Sequence, residues 1–126
     1  MEAILDTSFL IGPEPKNLDR PPADAGISVV TIAELGLGVL LASRLEDRMA
    51  RLAVLSEIEH RFDPLPVDLS VARAYSEIVA SAKRRGVRPR PFDGLIAATA
   101  LVHSVPVYTR DRDFLQLRGV HVRLIE

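Results

Sequence analysis

The chain has 126 residues, of which 48% are hydrophobic, and its 16 basic and 17 acidic residues leave a formal net charge of −1. This length suits one hydrophobic core, so we expect a single domain over residues 1–126, and the near-neutral balance excludes attachment to nucleic acid by bulk charge alone. The absence of cysteine excludes disulfides and thiolate metal sites, and the lack of a membrane-length apolar run or a signal-like segment predicts a cytoplasmic protein with no membrane partner.

The first predicted strand, Glu2–Leu5, is short and apolar and ends on Asp6. Open α/β sheets place their ligands at the carboxyl ends of strands, so this acid is a candidate functional residue. The alternative is that Asp6 only caps the helical turn predicted at Phe9–Ile11, which is a common role for aspartate. The proline-rich segment Gly12–Gly26 is then predicted to be an exposed connection, long enough to serve as a binding loop.

A second strand is predicted at Ile27–Val30, followed by a helix. Thr31 is a plausible N-cap residue, and Glu34 stands three residues later, which is the spacing of a capping box. Closing that box is therefore an alternative role for Glu34. Gly36 and Gly38 interrupt the helix, and because each glycine costs about 1 kcal/mol relative to alanine, we expect close packing at both.

The middle of the chain predicts a helix at Glu46–Arg61 and then a short strand at Phe62–Val67, whose two prolines favour an edge position. Asp68 is the expected cap of the next helix, whose apolar residues keep a period of 3.6. This helix is predicted to end at Gly86, after a run of cations that suits a helix C-terminus.

The central helix is predicted at Arg90–His103. Pro91 suits its first position, and Asp93 lies in the first turn, where the helix dipole favours a carboxylate. The residues that follow are apolar on every face, which is typical of a helix buried inside a domain. We therefore expect a buried helix whose N-terminal end presents one acid to solvent.

The last predicted elements are a strand at Val105–Tyr108, a short helix from Asp113 and a strand at Gly119–Ile125. Alternation of strands with helices favours right-handed crossovers and a parallel sheet covered on both faces. The predicted fold class is therefore α/β, with three layers in the order α/β/α and a central, mainly parallel sheet.

Five acids stand at predicted strand ends or helix starts: Asp6, Glu34, Asp93, Asp111 and Asp113. In a parallel sheet these positions share the carboxyl edge, so we expect the side chains to converge. Converging carboxylates raise one another's pKa unless a cation compensates them. Mg²⁺ or Mn²⁺ prefers carboxylate and water oxygens, and two such ions about 3.5–4 Å apart support attack of water on a phosphodiester.

Four segments, ILDTS, TIAEL, FDGLIAATA and YTRDRDF, resemble the four acidic motifs of the PIN domain. They are most similar to the motifs of VapC-type toxins from bacterial toxin–antitoxin pairs, and the resemblance covers nearly the whole chain in the right order. It implies a PIN-like fold and a metal-dependent endoribonuclease that uses Mg²⁺ or Mn²⁺. It also implies a homodimer that a cognate VapB-type antitoxin neutralises by binding across or near the acidic site.

The resemblance also assigns the site residues. It places acids and supporting hydroxyls around the metal at Asp6, Thr7, Ser8, Glu34 and Asp93. The fourth acid is either Asp111 or Asp113, which this sequence spaces closely, and the other of the two is left to cap the following helix.

Cations flank two of the acidic motifs. The candidates for contacting RNA phosphates are Arg85, Arg88, Arg90, Arg110 and Arg112. Such a group would attract phosphates that the acids alone repel, whereas the alternative is a solvated charge run at a helix end. The three histidines lie away from the acidic motifs, so none is a candidate general base.

Two other classes with an acid after the first strand fit poorly. A haloacid-dehalogenase-like phosphatase would need a second aspartate where Ser8 stands, and a receiver domain would need paired acids there and a late lysine. The remaining alternative is a PIN-like module that binds RNA or a partner without cutting. The substitution Asp93→Asn discriminates, because a nuclease would lose cleavage and keep RNA binding.

Overall fold

A four-stranded, fully parallel sheet lies at the centre of the computed structural model, which describes residues 1–126. The strands are β1 (Ala3–Leu5), β2 (Ala25–Gly26), β3 (Val107–Thr109) and β4 (Val122–Leu124), in the spatial order β2-β1-β3-β4. Ile4 pairs with Gly26 on one side and with Val107 on the other. Because β1 and β3 are the two inner strands, the residues that follow them meet at the middle of the carboxyl edge.

Helices cover the sheet and complete the predicted three-layer α/β/α arrangement. They are α1 (Thr7–Ile11), α2 (Val29–Leu41), α3 (Leu45–Arg61), α4 (Leu69–Arg84), α5 (Pro91–Val102) and a 3₁₀ helix at Arg112–Gln116. The most extensive helix pairs are α4 with α5 and α2 with α3. No helix combines the length and the apolar character needed to span a membrane.

The central helix is confirmed as α5, with Pro91 at its start. Ile96 and Ala100 are fully buried in the main core, together with Ile4 of β1 and Val107 of β3. The prediction that every face is covered holds only for the first part of the helix, because the last turn is partly open to solvent at Leu101 and Val102. The buried N-terminal turns are the part that positions the acid of this helix.

Three local predictions in the first half were wrong. Strand β2 lies at Ala25–Gly26 rather than Ile27–Val30, and Ser28 rather than Thr31 caps α2, since its side chain accepts a hydrogen bond from the backbone N–H of Val30 at 3.0 Å. A short apolar run is typical both of a strand and of the first turn of a buried helix. Here the Ser28 side chain caps α2, so Val29 and Val30 form the first turn of that helix. The segment Phe62–Val67 forms one isolated bridge, between Leu65 and Ser28, instead of a strand.

The two glycines of α2 do not mark close packing, so that prediction was also wrong. A Cβ at Gly36 would meet no atom within 4 Å, and at Gly38 the nearest atom would be the Arg51 side chain at 3.9 Å. Close approach occurs at Gly94 in α5, where a Cβ would lie 2.8 Å from the ring of Tyr75 in α4. The predicted cap of α4 is confirmed, because Asp68 accepts a hydrogen bond from the Val71 N–H at 3.0 Å.

Candidate active site

The carboxylate of Asp6 lies at the carboxyl end of β1 and is only 4% exposed. Although Asp6 stands at the N-cap position of α1, its side chain forms no capping hydrogen bond. Its Oδ2 instead accepts hydrogen bonds from Ser8 Oγ at 2.7 Å and from Thr109 Oγ1 at 2.8 Å. The alternative that Asp6 serves only as a helix cap was therefore wrong.

Two hydroxyls join the ends of β1 and β3. Thr109, the last residue of β3, is completely buried, and its Oγ1 accepts a hydrogen bond from the Asp111 N–H at 3.0 Å. Ser8 Oγ accepts one from the Arg110 N–H at 3.0 Å. Sequence reasoning did not single out Thr109, although it begins the TRDRDF segment. The sequence signal for Thr109 was a small hydroxyl residue at the end of a predicted strand. Its contact with Asp6 could be inferred only with the knowledge that β3 lies beside β1.

Glu34 lies in α2 and faces the same edge. Its Oε1 accepts a hydrogen bond from Thr7 Oγ1 at 2.8 Å, and that hydroxyl also lies 3.2 Å from Thr31 Oγ1. The Thr31 N–H donates to the carbonyl of Ser28, so the capping-box role of Glu34 was wrong. Burial raises the pKa of Glu34 most, the Thr7 hydrogen bond opposes this shift, and the charges of nearby acids raise the pKa further.

Asp93 lies in the first turn of α5 with its side chain 10% exposed, and its Oδ2 accepts a hydrogen bond from Arg90 Nε at 2.9 Å. Burial raises the pKa of this carboxyl, Arg90 lowers it, and the negative charges of Asp6 and Asp111 raise it. The acids from β1, α2, α5 and the segment after β3 therefore act on one another electrostatically. The structure thus places Asp6, Glu34, Asp93 and Asp111 near one another, while their roles in a metal site stay predictions.

The two neighbouring aspartates after β3 differ in their contacts. Asp111 Oδ1 accepts a hydrogen bond from the Asp113 N–H at 2.9 Å and so caps the 3₁₀ helix, while its Oδ2 accepts one from the guanidinium of Arg90. Asp113 is exposed, and with Arg88, Arg90 and Asp93 it lines a small cavity of about 110 Å³. Asp111 thus caps the 3₁₀ helix and is also connected to Asp93, because Arg90 donates hydrogen bonds to both carboxylates.

The candidate RNA-contacting arginines fall into two groups. Arg90 pairs with two acids, Arg85 donates to the carbonyl of Gln116 at 2.8 Å, and Arg110 donates to the carbonyl of Pro13. Arg88 and Arg112 are exposed and form no ion pair or side-chain hydrogen bond in this conformation. Only these last two have guanidinium groups free of intramolecular partners.

The chemistry of the site suits a hard divalent cation, although the side chains do not enclose one in this conformation. No group of three acidic or histidine side chains has the spacing of a metal site. The available donors are carboxylate and hydroxyl oxygens, which Mg²⁺ and Mn²⁺ prefer. Mutual repulsion helps to raise the pKa values of Glu34 and Asp93 even with Arg90 present, so further positive charge would be favourable here.

Comparison with known proteins agrees with this geometry. The family model for the PIN domain matches residues 3–120. Ribonuclease VapC4 of Mycobacterium tuberculosis is 38% identical over 124 residues, which cover 95% of this chain and 94% of that protein. Toxin FitB of Neisseria gonorrhoeae is 36% identical, with 86% of each chain covered. The crystal structure of VapBC-5, a toxin–antitoxin system of Mycobacterium tuberculosis, aligns with a TM-score of 0.84 and 37% identity, covering 100% of this chain and 99% of that chain.

Proposed function

The chain belongs to the PIN domain family, among the VapC-type ribonucleases, and from that premise we propose that it is a metal-dependent endoribonuclease toxin. It hydrolyses RNA phosphodiester bonds and is neutralised by a VapB-type antitoxin. The observation that carries this proposal is that Asp6, Glu34, Asp93 and Asp111 lie at one edge of the sheet, where hydroxyl donors hold Asp6 and Glu34. We also propose that the protein acts in the cytoplasm, where cellular RNA is found.

We assign the binding of Mg²⁺ or Mn²⁺ to Asp6, Glu34 and Asp93, with Asp111 as the fourth acid. Asp111 is chosen over Asp113 because it is less exposed and because its charge raises the pKa of Asp93. When bound, the cation stabilises negative charge on the phosphate and activates the attacking water.

Hydroxyl groups of the chain orient two of the acids, Asp6 and Glu34. Ser8 and Thr109 both donate to Oδ2 of Asp6, which leaves Oδ1 without a hydrogen bond and free to bind. Thr7 holds Glu34 in the same way. Groups held in place by such partners need little rearrangement on binding, which is why loss of a partner costs metal affinity or activity.

RNA contact is assigned to the arginines that have no partner within the chain. Arg88 lies beside the acids, since it lines the same small cavity as Asp93, and Arg112 follows Asp111 directly. A guanidinium pairs well with phosphate, and it offsets the repulsion between the acids and the RNA backbone. Arg85 and Arg110 are instead assigned to structural roles through their bonds to backbone carbonyls.

The antitoxin is assigned to the apolar surface between α2 and α3. A cavity of about 500 Å³ there has Glu34 in its wall and is lined by Thr7, Ile11, Glu34, Leu35, Gly38, Ala50, Arg51 and Val54. Leu40 and Leu41 nearby on α2 are 72% and 71% exposed, which is unusual for a surface that stays uncovered. A segment bound here would cover Glu34 and close the site. The homodimer stays a prediction.

The proposal is tested by incubating antitoxin-free protein with a pool of total small RNA, with Mg²⁺ or Mn²⁺ against EDTA. We expect discrete fragments that require the metal. Asp6→Asn should lower the cleavage rate by more than about 100-fold, because loss of a mere partner of a ligand already costs 10–100-fold. Asp63→Asn is the matched control, since Asp63 is exposed between α3 and α4.

Cleavage that survives in EDTA, or that is equal in Asp6→Asn and the wild type, would contradict the assignment. Retained RNA binding without cleavage under any divalent cation would favour the module that binds without cutting.

A further inference from the structure

Arg90 holds the one guanidinium that pairs with the converging acids. Its Nε donates to Asp93 Oδ2 at 2.9 Å, and its second nitrogen donates to Asp111 Oδ2. The two acids belong to separate elements, α5 and the segment after β3. Arg90 therefore bridges the two acids, with one N–H of its planar guanidinium donating to each carboxylate.

The backbone of Arg90 is constrained while its side chain is not. Pro91 follows the residue and restricts it to the extended conformation observed, with φ −66° and ψ 139°. The side chain is 67% exposed, whereas those of Asp93 and Asp111 are 10% and 24% exposed. The guanidinium can thus turn into solvent without moving the backbone, but the acids cannot leave the site as easily.

The single guanidinium of Arg90 compensates only part of the negative charge of the nearby acids. One guanidinium interacts with the carboxylates of Glu34, Asp93, Asp111 and Asp113, and it lowers the pKa values of Glu34 and Asp93 without cancelling the effect of burial and repulsion. A divalent cation would compensate more charge with a smaller ion. It would also be repelled by a guanidinium that remained on Asp93 Oδ2.

We propose that Arg90 is a displaceable counter-ion, which pairs with Asp93 and Asp111 and competes with a divalent cation for Asp93. This inference rests on the proposed function, because it assumes that these acids bind the metal. By linkage, a group that the metal must displace weakens metal binding by the same factor by which the metal weakens the ion pair. Arg90 therefore lowers the metal affinity of the site and keeps the acids ordered until the metal binds.

The affinity for Mn²⁺ and Mg²⁺, measured by titration calorimetry at fixed ionic strength without RNA, tests this competition. We expect Arg90→Gln to bind about fivefold tighter or more than the wild type, which is the lower range of typical coupling between sites. Arg88→Gln is the matched control. It removes one charge from the same loop but breaks no ion pair, so its metal affinity should change less than about twofold.

A second measurement follows metal binding in the wild type alone. The Nε–H signal of Arg90 in a nitrogen–proton NMR spectrum, identified by its absence from Arg90→Lys, reports the hydrogen bond to Asp93 directly. We expect saturating Mg²⁺ to shift this signal or to remove it through faster exchange with water. An unchanged signal at saturation would overturn the competition, even if Arg90→Gln failed to fold.

The remaining outcomes separate this inference from the proposed function. Equal or weaker metal binding by Arg90→Gln would make Arg90 a mere positioning residue and would overturn the competition, while metal-dependent RNA cleavage by the wild type still stood. An equal gain in metal affinity for Arg90→Gln and Arg88→Gln would show that the effect comes from net charge alone. This result would also overturn the competition. Absence of divalent-cation binding in all the proteins would overturn both the competition and the metal-dependent function.

Discussion

The side chain of Thr109 connects Asp6, which follows β1, to Asp111, which lies two residues after β3. Its hydroxyl donates to Asp6 Oδ2 and accepts from the Asp111 N–H, so both of its hydrogen-bonding functions are used inside the protein. Asp6 and Asp111 stand more than a hundred residues apart in the sequence, and no other side chain bonds to both. This one hydroxyl therefore helps to fix the position of Asp6 relative to Asp111.

Thr109→Val keeps the shape of the side chain and removes the hydroxyl. We expect RNA cleavage to fall about 10–100-fold, as for other partners of metal ligands, and the free energy of unfolding to fall by about 1–3 kcal/mol. The measurements are the cleavage rate at saturating Mg²⁺ and urea denaturation.

Thr99→Val is the control for that substitution. Thr99 is equally buried, but its hydroxyl donates to the carbonyl of Leu95 within α5, away from the acids. Its cleavage rate should stay within about twofold of the wild type. Equal rates in the two variants would show that the hydroxyl of Thr109 does not support the site.

At the scale of elements, the contact between α4 and α5 decides where Asp93 lies. Gly94 follows Asp93 directly and lets the ring of Tyr75 and a methyl group of Val79 approach the backbone of α5. The start of α5 is thereby pressed against α4, and its first turn is directed toward the ends of β1 and β3. The glycine in the FDG segment is thus explained by packing between helices.

Gly94→Ala should lower the free energy of unfolding by about 1–2 kcal/mol. A Cβ there would lie 2.8 Å from Tyr75 and 3.1 Å from Val79, and such overpacking outweighs the gain in helix propensity. Gly36→Ala, in open space on α2, should instead raise it by about 0.5–1 kcal/mol. Thermal or urea denaturation of both variants checks the opposite signs, and a change of the same sign in both would contradict this account of the contact.

At the scale of the whole molecule, the acidic edge makes stability depend on pH. The pKa of Glu34 is raised in the folded protein, mainly by burial and also by Asp6 and Asp93. The folded state therefore binds this proton more tightly than the unfolded state. Below a pH of about 4 the carboxyl group is protonated in both the folded and the unfolded state and does not destabilise the fold. The free energy of unfolding falls as the pH rises through the raised pKa.

Glu34→Gln keeps the acceptor for Thr7 and removes the charge. In EDTA at pH 7.5 we expect the variant to melt about 2–4 °C above the wild type, and this gain should disappear as the pH falls below about 4. Glu77→Gln, on the exposed side of α4, should melt like the wild type throughout. A gain that is absent at pH 7.5, or that grows toward acid, would contradict the sign of the shift.

Several features follow from the sequence by itself. The central helix, the cap of α4 and the parallel sheet could be predicted because helix starts, apolar periodicity and alternation of elements are local signals. The acids Asp6, Asp93 and Asp111 could be placed at one edge for the same reason, since each follows a strand or opens a helix. Their roles at a metal, and the extent of a single domain over residues 1–126, stay predictions.

Only the tertiary structure decided how the side chains at that edge are paired. Thr109 meets Asp6 across 103 positions in the sequence, Thr7 meets Glu34 across 27, and Arg90 meets Asp111 across 21. These contacts depend on β1 and β3 being neighbours and on α2 lying beside α1, and no short segment encodes either arrangement. The two-residue strand β2 and the single bridge at Leu65 were missed for the same reason, because strands this short exist only through their pairing with the rest of the fold.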